Sequence, residues 1–379
     1  MNFTFDETHL MIQQTARDFA ETELRPNVSE RDEKEEFPYD AVKKMGELGF
    51  MGMKVAEKYG GAGLDTISYV LAMEEISKVD ASAGVIMSVN NSLVCYGLEK
   101  WGNEEQKQKY LVPLAQGKML GAFALSEPEA GSDATNQHTT AVRDGNFYIL
   151  NGTKNFITNG KNADVVLVMA QTDKTKGPKG ISTFIVEKNY PGFSVAKKER
   201  KLGIRSSDTV SLSFTACKVP MENRIGEEGF GFKFAMKTLD GGRIGIASQA
   251  MGIAMAALEE SIKYAKQRKT FGKYLAEHQA IQFKIADMQT KIDAAQMLLL
   301  RAAATDAENP NYGTYSAEAK LLASKIAVEC ALEAIQIHGG YGYCKDYPVE
   351  RLLRDSKITE IYEGTSEVQR IVISRALLK

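Results

Sequence analysis

The sequence predicts a mainly α-helical protein with a central β region. In the first and last thirds of the 379 residues, apolar side chains recur at the three- and four-residue spacing of helices. Between them the period changes: at residues 210–214, for example, apolar and polar side chains alternate, which is typical of a half-buried strand. Helices, then a sheet, then helices differ from the alternating βαβ pattern of nucleotide folds. We therefore expect three domains, covering residues 1–118, 119–226 and 227–379.

The first part is predicted to be an N-terminal helical domain. Its first helix carries apolar residues at helical spacing: Ile12, Ala16, Phe19 and Ala20. Pro26 is predicted to end that helix, and Asp65 and Asn103 are predicted to cap two further helices, the second ending near Gly117. Residues 58–65 (KYGGAGLD) lack the glycine patterns of phosphate-binding loops, so we interpret them as a flexible connection.

The second part changes to the period of strands. An Asn151-Gly152 pair lies between two strand-like runs and predicts a tight hairpin joining Phe147–Leu150 to Thr153–Thr158. Alternation at Val210, Leu212 and Phe214 predicts another strand. Further strand candidates are Val165–Met169 and Ile181–Val186. Short strands and turns of this kind favour a small antiparallel sheet, barrel or sandwich.

The third part is helical again and predicts a bundle. One narrow apolar seam steps by four and three residues: Ile281, Ile285, Met288, Ile292, Ala295, Leu299 and Ala302. A second helix is indicated by Ile246, Ala250, Ile253 and Ala257, and a third by residues 317–337. A narrow seam is suited to packing against neighbouring helices.

Composition excludes several classes of protein. The 47 Lys and Arg residues nearly balance the 49 Asp and Glu residues, which disfavours a nucleic-acid partner or an anionic membrane surface. No apolar stretch is long enough to span a bilayer, and the acidic N-terminus does not resemble a signal peptide. The four cysteines and four histidines are scattered, so neither a disulfide framework nor a metal site is expected. These features indicate a cytoplasmic protein.

The segment 361–370 (IYEGTSEVQR) holds one carboxylate, Glu363, between an aromatic residue and a glycine. Ser366 and Gln369 follow with the spacing of a capping box, which predicts a helix start. A carboxylate at that position is either a solvated surface charge or a base held against a ligand. Taken alone, the segment favours the surface charge, because most Glu residues are exposed.

Six segments together resemble the acyl-CoA dehydrogenases, and most closely the short-chain, butyryl-CoA type. They are residues 125–134 (LSEPEAGSDA), 153–160 (TKNFITNG), 239–252 (LDGGRIGIASQAMG), 268–282 (RKTFGKYLAEHQAIQ), 336–343 (QIHGGYGY) and 361–370. The resemblance covers nearly the whole chain. It implies an N-terminal helical domain, a middle β-domain and a C-terminal four-helix bundle, assembled as a homotetramer built from two dimers.

The resemblance also implies a reaction. Family members oxidise an acyl-CoA thioester to the trans-2-enoyl-CoA with FAD as hydride acceptor, and pass electrons to an electron-transfer flavoprotein. Glu363 would be the base that removes the α-proton, with its pKa raised by burial. Its backbone N–H, together with a flavin ribityl hydroxyl, would hold the enolate oxygen, and Gly364 would permit close backbone approach.

Residue by residue, the resemblance implies two sets of FAD contacts. The first set lies in the middle part: Phe123, Leu125, Ser126, Gly131, Ser132, Phe156 and Thr158. The second set begins with residues that would reach the flavin of a neighbouring subunit: Arg268, Thr270, Phe271, His278, Gln279 and Ile281. It also contains a turn near the adenosine pyrophosphate, formed by Gln336, Gly339 and Gly340, and a phosphate-side contact, Thr365. Many relatives carry Trp where this chain has Phe156, which keeps ring stacking but removes the indole N–H.

The substrate contacts implied by the resemblance are Ser132, Asp240, Arg243, Tyr362 and Gly364. For Asp240 and Arg243, a local ion pair that caps a helix is the alternative. Tyr362 and Phe232 either line the acyl cavity or belong to the core.

Other functions remain open at this point: enoyl-CoA reduction in the reverse direction, an acyl-CoA oxidase, and an acyl-CoA-binding relative without turnover. Oxidases are typically longer, and oxygen consumption would separate them from dehydrogenases.

Overall fold

The computed structural model describes residues 4–379, and its N-terminal part is helical. The helices are α1 (Glu7–Phe19), α2 (Val28–Lys34), α3 (Tyr39–Glu47), α4 (Thr66–Val79), α5 (Ala81–Ser88), α6 (Tyr96–Trp101), α7 (Glu104–Gln106) and α8 (Val112–Ala115). Both predicted caps are confirmed. The Asp65 carboxylate accepts from the Ser68 N–H at 2.8 Å, and Asn103 forms a reciprocal capping box with Gln106.

The prediction that Pro26 ends the first helical run is wrong. After α1 the chain stays helical through a wide turn at Ala20–Leu24 and a 3-10 turn at Arg25–Asn27, and then enters α2. Proline is tolerated there because it lies at the start of a new helical turn, where its missing N–H needs no partner.

The glycine-rich segment 58–65 connects helices, as interpreted, but it is packed closely. A Cβ at Gly61 would lie 2.2 Å from the Val55 carbonyl oxygen, and Gly60 and Gly63 have positive φ angles. Glycine is required here by close approach and by backbone conformation.

The middle part forms one eight-stranded sheet. Its strands are β1 (Gly121–Ala124), β2 (Thr140–Asp144), β3 (Phe147–Thr158), β4 (Val165–Gln171), β5 (Ile181–Glu187), β6 (Phe193–Lys198), β7 (Thr209–Pro220) and β8 (Arg224–Ile225). The order is β6-β7-β3-β2-β4-β5-β8, and β1 pairs with β4. Most pairs are antiparallel, as expected, but β4 runs parallel to β1 and, through one residue pair, to β2.

The predicted hairpin at Asn151-Gly152 is wrong, because β3 passes through both residues without turning. The register against β7 shifts between Leu150 and Gly152, which marks a bulge. A Cβ at Gly152 would lie 2.4 Å from Thr139 Oγ1, so glycine serves close packing here. The tight turn lies between β2 and β3, where Gly145 has a φ of 57°.

The third part is the helical bundle. It consists of α9 (Gly231–Gln267), a small hairpin of β9 (Lys269–Thr270) and β10 (Lys273–Tyr274), and then α10 (Gln279–Ala303), α11 (Tyr312–His338), α12 (Val349–Ile358) and α13 (Ser366–Leu377). Five residues of the predicted seam are buried: Met288, Ile292, Ala295, Leu299 and Ala302. The predicted domain boundaries near residues 118 and 226 fall in connections between elements, and the division into domains stays a prediction.

Helix α9 contacts all three parts of the chain. It packs against α11 and α10 in the bundle, against α4 and α5 of the N-terminal part, and against β4 and β5 of the sheet. Its apolar residues share one large cluster with all three parts of the chain. Groups on α9 are therefore held in fixed positions relative to all three parts. No helix between residues 4 and 379 combines the length and the hydropathy needed to cross a bilayer.

Candidate active site

Glu363 lies in the turn that joins α12 to α13. Its φ is 51°, and Gly364 after it has a φ of 92°, so two successive residues have left-handed backbone. Such a conformation is uncommon for a non-glycine residue, and residues that adopt it cluster at active sites and ligand-binding turns. Within residues 4–379, the Glu363 N–H donates to no protein acceptor.

The predicted capping box of Ser366 and Gln369 is wrong by one residue. The N-cap is Thr365, whose Oγ1 accepts from the Val368 N–H at 3.3 Å. The Ser366 N–H instead donates to the Glu360 carbonyl at 3.0 Å, so Ser366 is already inside the helix. The Gln369 amide points back into the turn and donates to the Gly364 carbonyl at 2.8 Å.

The Glu363 carboxylate points inward, toward α9. Its Oε2 is enclosed and has no hydrogen-bond partner among the described residues. An added Cβ at Gly242 would lie 2.2 Å from that oxygen. The carboxylate therefore occupies space that only a glycine on α9 leaves free, and the surface-charge alternative is wrong for this residue.

The surroundings of the Glu363 carboxylate favour its neutral, protonated form more strongly than water does. Burial raises the pKa of Glu363 to about 7, and the nearby cations Lys320 and Arg243 act in the opposite direction. At neutral pH the group is therefore divided between its acid and base forms. A carboxyl with a pKa near the operating pH is suited to exchange protons with a ligand.

Two neighbours of Glu363 were not found by sequence reasoning. Lys320 lies on α11, is fully buried, and its Nζ donates to the Gly364 carbonyl at 2.6 Å. Gly242 lies on α9 beneath the carboxylate. A signal for Lys320 exists in the sequence, because it shares a helical face with Ala317 and Ser324, both of which are buried.

Asp240 and Arg243 form an ion pair at 2.6 Å within α9. The pair lies well inside the helix, so the alternative that it caps a helix is wrong. Burial raises the pKa of Asp240 against the effect of Arg243, and burial lowers the pKa of Arg243 against the effects of Asp240 and Glu363. The buried Arg243 Nε donates to no group in the part of the chain that the structure describes, which leaves one donor for a ligand or a water.

Tyr362 and Phe232 both pack against the main hydrophobic cluster. The Tyr362 hydroxyl donates to the Gln249 Oε1 on α9, and burial raises the pKa of Tyr362 well above its ordinary value. Both aromatic residues therefore serve the core, and their part in binding an acyl chain stays a prediction.

The first set of predicted FAD contacts gathers around β1, the loop after it, and β3. Phe123 is in β1, Leu125 and Ser126 follow it, and Phe156 and Thr158 are at the end of β3. The Asn155 N–H donates to the Ser126 carbonyl at 2.9 Å, which ties the loop to β3.

A buried ion pair supports that loop. Lys154 Nζ lies 2.7 Å from Glu127 Oε1, and also donates to the Leu125 carbonyl at 3.0 Å. The Glu127 carboxylate accepts in turn from the backbone N–H groups of His138 and Thr139. Burial lowers the pKa of Lys154 to about 8 against the pull of Glu127. Such a network holds backbone in one conformation because every charge has partners.

The same surface leaves room for a ligand. Phe156 has a φ of 59° and is 66% exposed, although it is a large aromatic residue. A Cβ at Gly131 would meet no atom within 4 Å, and Ser132 beside it is exposed. Exposed aromatic and glycine-rich backbone suit a flat ring and a close phosphate, so these residues fit the predicted FAD.

Most residues of the second set lie at one end of the bundle. The Arg268 guanidinium is 5.8 Å from the centre of the Tyr341 ring, which brings the segment at 268–282 beside Gly339 and Gly340. Thr270 Oγ1 and His278 Nε2 are 3.3 Å apart. Phe271 is 97% exposed with a φ of 51°, and a Cβ at Gly339 or Gly340 would meet nothing within 4 Å.

The remaining members of this second set are spread over three helices. Gln279 and Ile281 lie in the first turn of α10, and Gln336 lies near the end of α11. Thr365 lies elsewhere, at the start of α13 beside Glu363.

The fold combines a helical part, a sheet and a helical bundle, and the enclosed Glu363 carboxylate lies in the last turn of that bundle. Three family models match along the chain: the acyl-CoA dehydrogenase N-terminal domain over residues 6–118, the middle domain over 122–217 and the C-terminal domain over 229–378. The chain belongs to the acyl-CoA dehydrogenase family. It is an acyl-CoA dehydrogenase enzyme, an oxidoreductase.

Similar proteins cover the whole length. The short-chain specific acyl-CoA dehydrogenase of Clostridium acetobutylicum is 51% identical over 100% of both chains. The solved butyryl-CoA dehydrogenase of Megasphaera elsdenii has a TM-score of 0.98 at 48% identity, covering 100% of both chains. A chain from structural work on the electron transferring flavoprotein of Acidaminococcus fermentans and flavin-based electron bifurcation has a TM-score of 0.99 at 53% identity, again over 100% of both chains.

Proposed function

We propose that this enzyme converts a short-chain acyl-CoA, of the butyryl-CoA kind, into the trans-2-enoyl-CoA, with Glu363 as the base. The observation that carries the proposal is the enclosed carboxylate of Glu363, whose burial raises its pKa to about 7. The preference for short acyl chains is supported by relatives that are about 50% identical to this chain in sequence and are named short-chain specific.

The α-hydrogen of a thioester is weakly acidic, so its removal needs a positioned base and stabilisation of the enolate oxygen. Glu363 supplies the base. Because its carboxylate is desolvated, uptake of a proton is more favourable than for a carboxylate in water. The free Glu363 N–H is the donor proposed for the thioester oxygen. Gly364 beside it allows the thioester to approach the backbone closely.

FAD is the proposed cofactor, and when bound it supplies the acceptor for the hydride that leaves the β-carbon. Phe156 and Thr158 on β3, with Leu125 and Ser126 on the loop that Lys154 braces, would hold the ring. Arg268 and the Gly339-Gly340 turn would hold the pyrophosphate, because a guanidinium and open glycine backbone both suit phosphate oxygens.

The CoA portion of the substrate is proposed to contact Ser132, Asp240 and Arg243. The unpartnered Nε of Arg243 supports this role, because a buried guanidinium donor normally has an acceptor. The Asp240–Arg243 pair keeps that guanidinium fixed on α9.

An electron-transfer flavoprotein is the proposed electron acceptor, and one similar solved chain comes from work on such a flavoprotein.

A homotetramer built from two dimers is also proposed. Large apolar residues exposed on the bundle support association between copies: Phe283, Met297, Leu332, Ile371 and Leu377. A cytoplasmic location completes the proposal, and the four free cysteines support a reducing compartment.

The reverse reaction, reduction of an enoyl-CoA, is the second candidate. A carboxyl with a pKa of about 7 holds its proton about half of the time at neutral pH, so Glu363 can return a proton as readily as it removes one. The same residues then serve both directions.

The test is anaerobic bleaching of the flavin-loaded enzyme across acyl-CoA lengths and branched variants, with the wild type beside Glu363→Gln. We expect the fastest bleaching with butyryl-CoA, and a loss of roughly 10²–10⁴-fold or more in Glu363→Gln with thioester binding retained. Normal bleaching in Glu363→Gln would remove the base assignment. Fastest bleaching with long or branched chains would remove the short-chain assignment.

A further inference from the structure

Lys320 is a fully buried lysine whose ammonium ends at the catalytic turn. It lies on α11, and its Nζ donates to the Gly364 carbonyl at 2.6 Å. Within residues 4–379 it forms no salt bridge with a carboxylate, whereas Arg243 is paired with Asp240 at 2.6 Å. Placing an unpaired ammonium inside a protein is costly, so a compensating role is expected.

The negative group that acts most strongly on Lys320 is Glu363. Burial lowers the pKa of Lys320 to about 8, and the attraction of Glu363 is the largest effect in the opposite direction. The cation and the carboxylate therefore stabilise each other inside the same low-dielectric pocket. At neutral pH Lys320 still carries its charge for most of the time.

We propose that Lys320 is a positioning residue for the base: its ammonium holds the turn of Glu363 and Gly364 through the Gly364 carbonyl and supplies the free cation that faces the carboxylate. This inference rests on the proposed function, in which Glu363 is the base. The Gln369 amide holds the same carbonyl from α13 at 2.8 Å, so the turn is braced from two helices. That bracing retains a left-handed backbone that would otherwise relax.

Several other titratable groups face Glu363 or Lys320. They are Arg243 on α9, Tyr69 on α4, Tyr362 in the turn, Glu360 after α12, and Glu367 on α13. Asp240 acts on this group through Arg243, with which it is paired. Tyr69 and Tyr362 have pKa values raised by burial, and therefore stay neutral in the working range. Arg243 is the second cation, so removing Lys320 leaves Glu363 with weaker stabilisation of its charged form.

The test compares Lys320→Met, Lys320→Gln and Lys320→Arg with a control, Lys325→Met, in the flavin-loaded enzyme. Lys325 lies on the same helix with its side chain 63% exposed. The measurement is the rate of flavin reduction by butyryl-CoA from pH 5.5 to 9, together with flavin content. For Met and Gln, we expect the acidic limb of the profile to move upward by about one pH unit. The maximum rate should fall roughly 10–100-fold as the base loses its position.

Lys320→Arg keeps a cation and is expected to keep the acidic limb of the wild type. If Lys320→Met fails to fold, the pH profile of Lys320→Gln tests the inference instead. An acidic limb that is unchanged in the folded variants, even with reduced flavin content, would mean that Lys320 is only structural and would overturn the inference. If Glu363→Gln retains turnover, the proposed function itself is wrong. If Glu363→Gln loses turnover while the Lys320 variants keep the rate and pH profile of the wild type, only the inference about Lys320 is wrong.

Discussion

The carboxylate of Glu363 lies directly against the α-carbon of Gly242. A methyl group at Gly242 would lie 2.2 Å from Glu363 Oε2, closer than non-bonded atoms can approach. Gly242 is in the interior of α9, where glycine weakens a helix by about 1 kcal/mol relative to alanine. The chain thus loses helix stability at this position and gains space for the Glu363 carboxylate.

Gly242→Ala should therefore lower turnover strongly while the protein stays folded. The added methyl displaces the flexible ends of Glu363 and Leu93. If Glu363 is the proposed base, its misplacement costs roughly 100-fold in rate. The melting temperature should change little, because alanine favours the helix. Flavin reduction by butyryl-CoA and thermal unfolding are the two measurements.

Gly241→Ala is the matched control for this substitution. A Cβ there would first meet the Tyr312 hydroxyl, at an ordinary contact distance of 3.5 Å. Turnover should remain near that of the wild type. Equal losses in the two variants would contradict a specific contact between Gly242 and the base.

The raised pKa of Glu363 predicts how stability depends on pH. Because the folded state raises this pKa to about 7, the unfolded state releases the proton first as pH rises from about 4. Glu363 therefore contributes an increasing destabilisation between about pH 4 and pH 7, which stays constant at higher pH. Glu363→Gln should be more stable than the wild type at pH 8, and the two should converge at pH 4. Denaturant unfolding at both pH values checks this, and a constant difference would refute it.

Lys154→Met should destabilise the loop after β1. It leaves the buried Glu127 carboxylate without its cation, and breaking a buried pair costs roughly 3–5 kcal/mol. We also expect weaker flavin retention, because the same ammonium holds the Leu125 carbonyl. The double variant Lys154→Met/Glu127→Gln should recover part of the lost free energy of unfolding. No recovery would argue against the charge pair as the cause.

Arg268→Ala should lower the flavin content after dialysis and weaken association between copies. The guanidinium lies beside the glycine turn at 339–340 and is suited to phosphate oxygens. Lys266→Ala removes an exposed cation from the same end of α9 and is the control. Flavin absorbance after dialysis is the measurement, and unchanged flavin in Arg268→Ala would count against the shared site.

Local interactions explain which sequence predictions succeeded. The caps at Asp65 and Asn103 and the apolar seam of α10 depend on residues a few positions apart, so their spacing is visible in the chain. Two predictions are wrong because each pattern is compatible with two local structures. The Asn151-Gly152 pair suits a hairpin turn or a bulge, and residues 365–369 allow the N-cap at either of two neighbouring positions. Gly152 lies in a bulge, close against Thr139, and the Asn151 side chain accepts from the Ala216 N–H at 2.8 Å. At the start of α13, Thr365 is the N-cap, and the Gln369 amide donates to the Gly364 carbonyl.

The sequence alone determined the order of helical and strand-forming segments, the segment that holds Glu363, and the resemblance to a family, because short-range spacing and local residue types carry them. The surroundings of Glu363 were decided only by the tertiary structure. Gly242, Lys320 and Arg243 lie 121, 43 and 120 positions before it in the chain. They meet because α9 and α11 pack together beneath the last turn. That packing buries the carboxyl, which raises its pKa, and brings two cations near it, which oppose the rise.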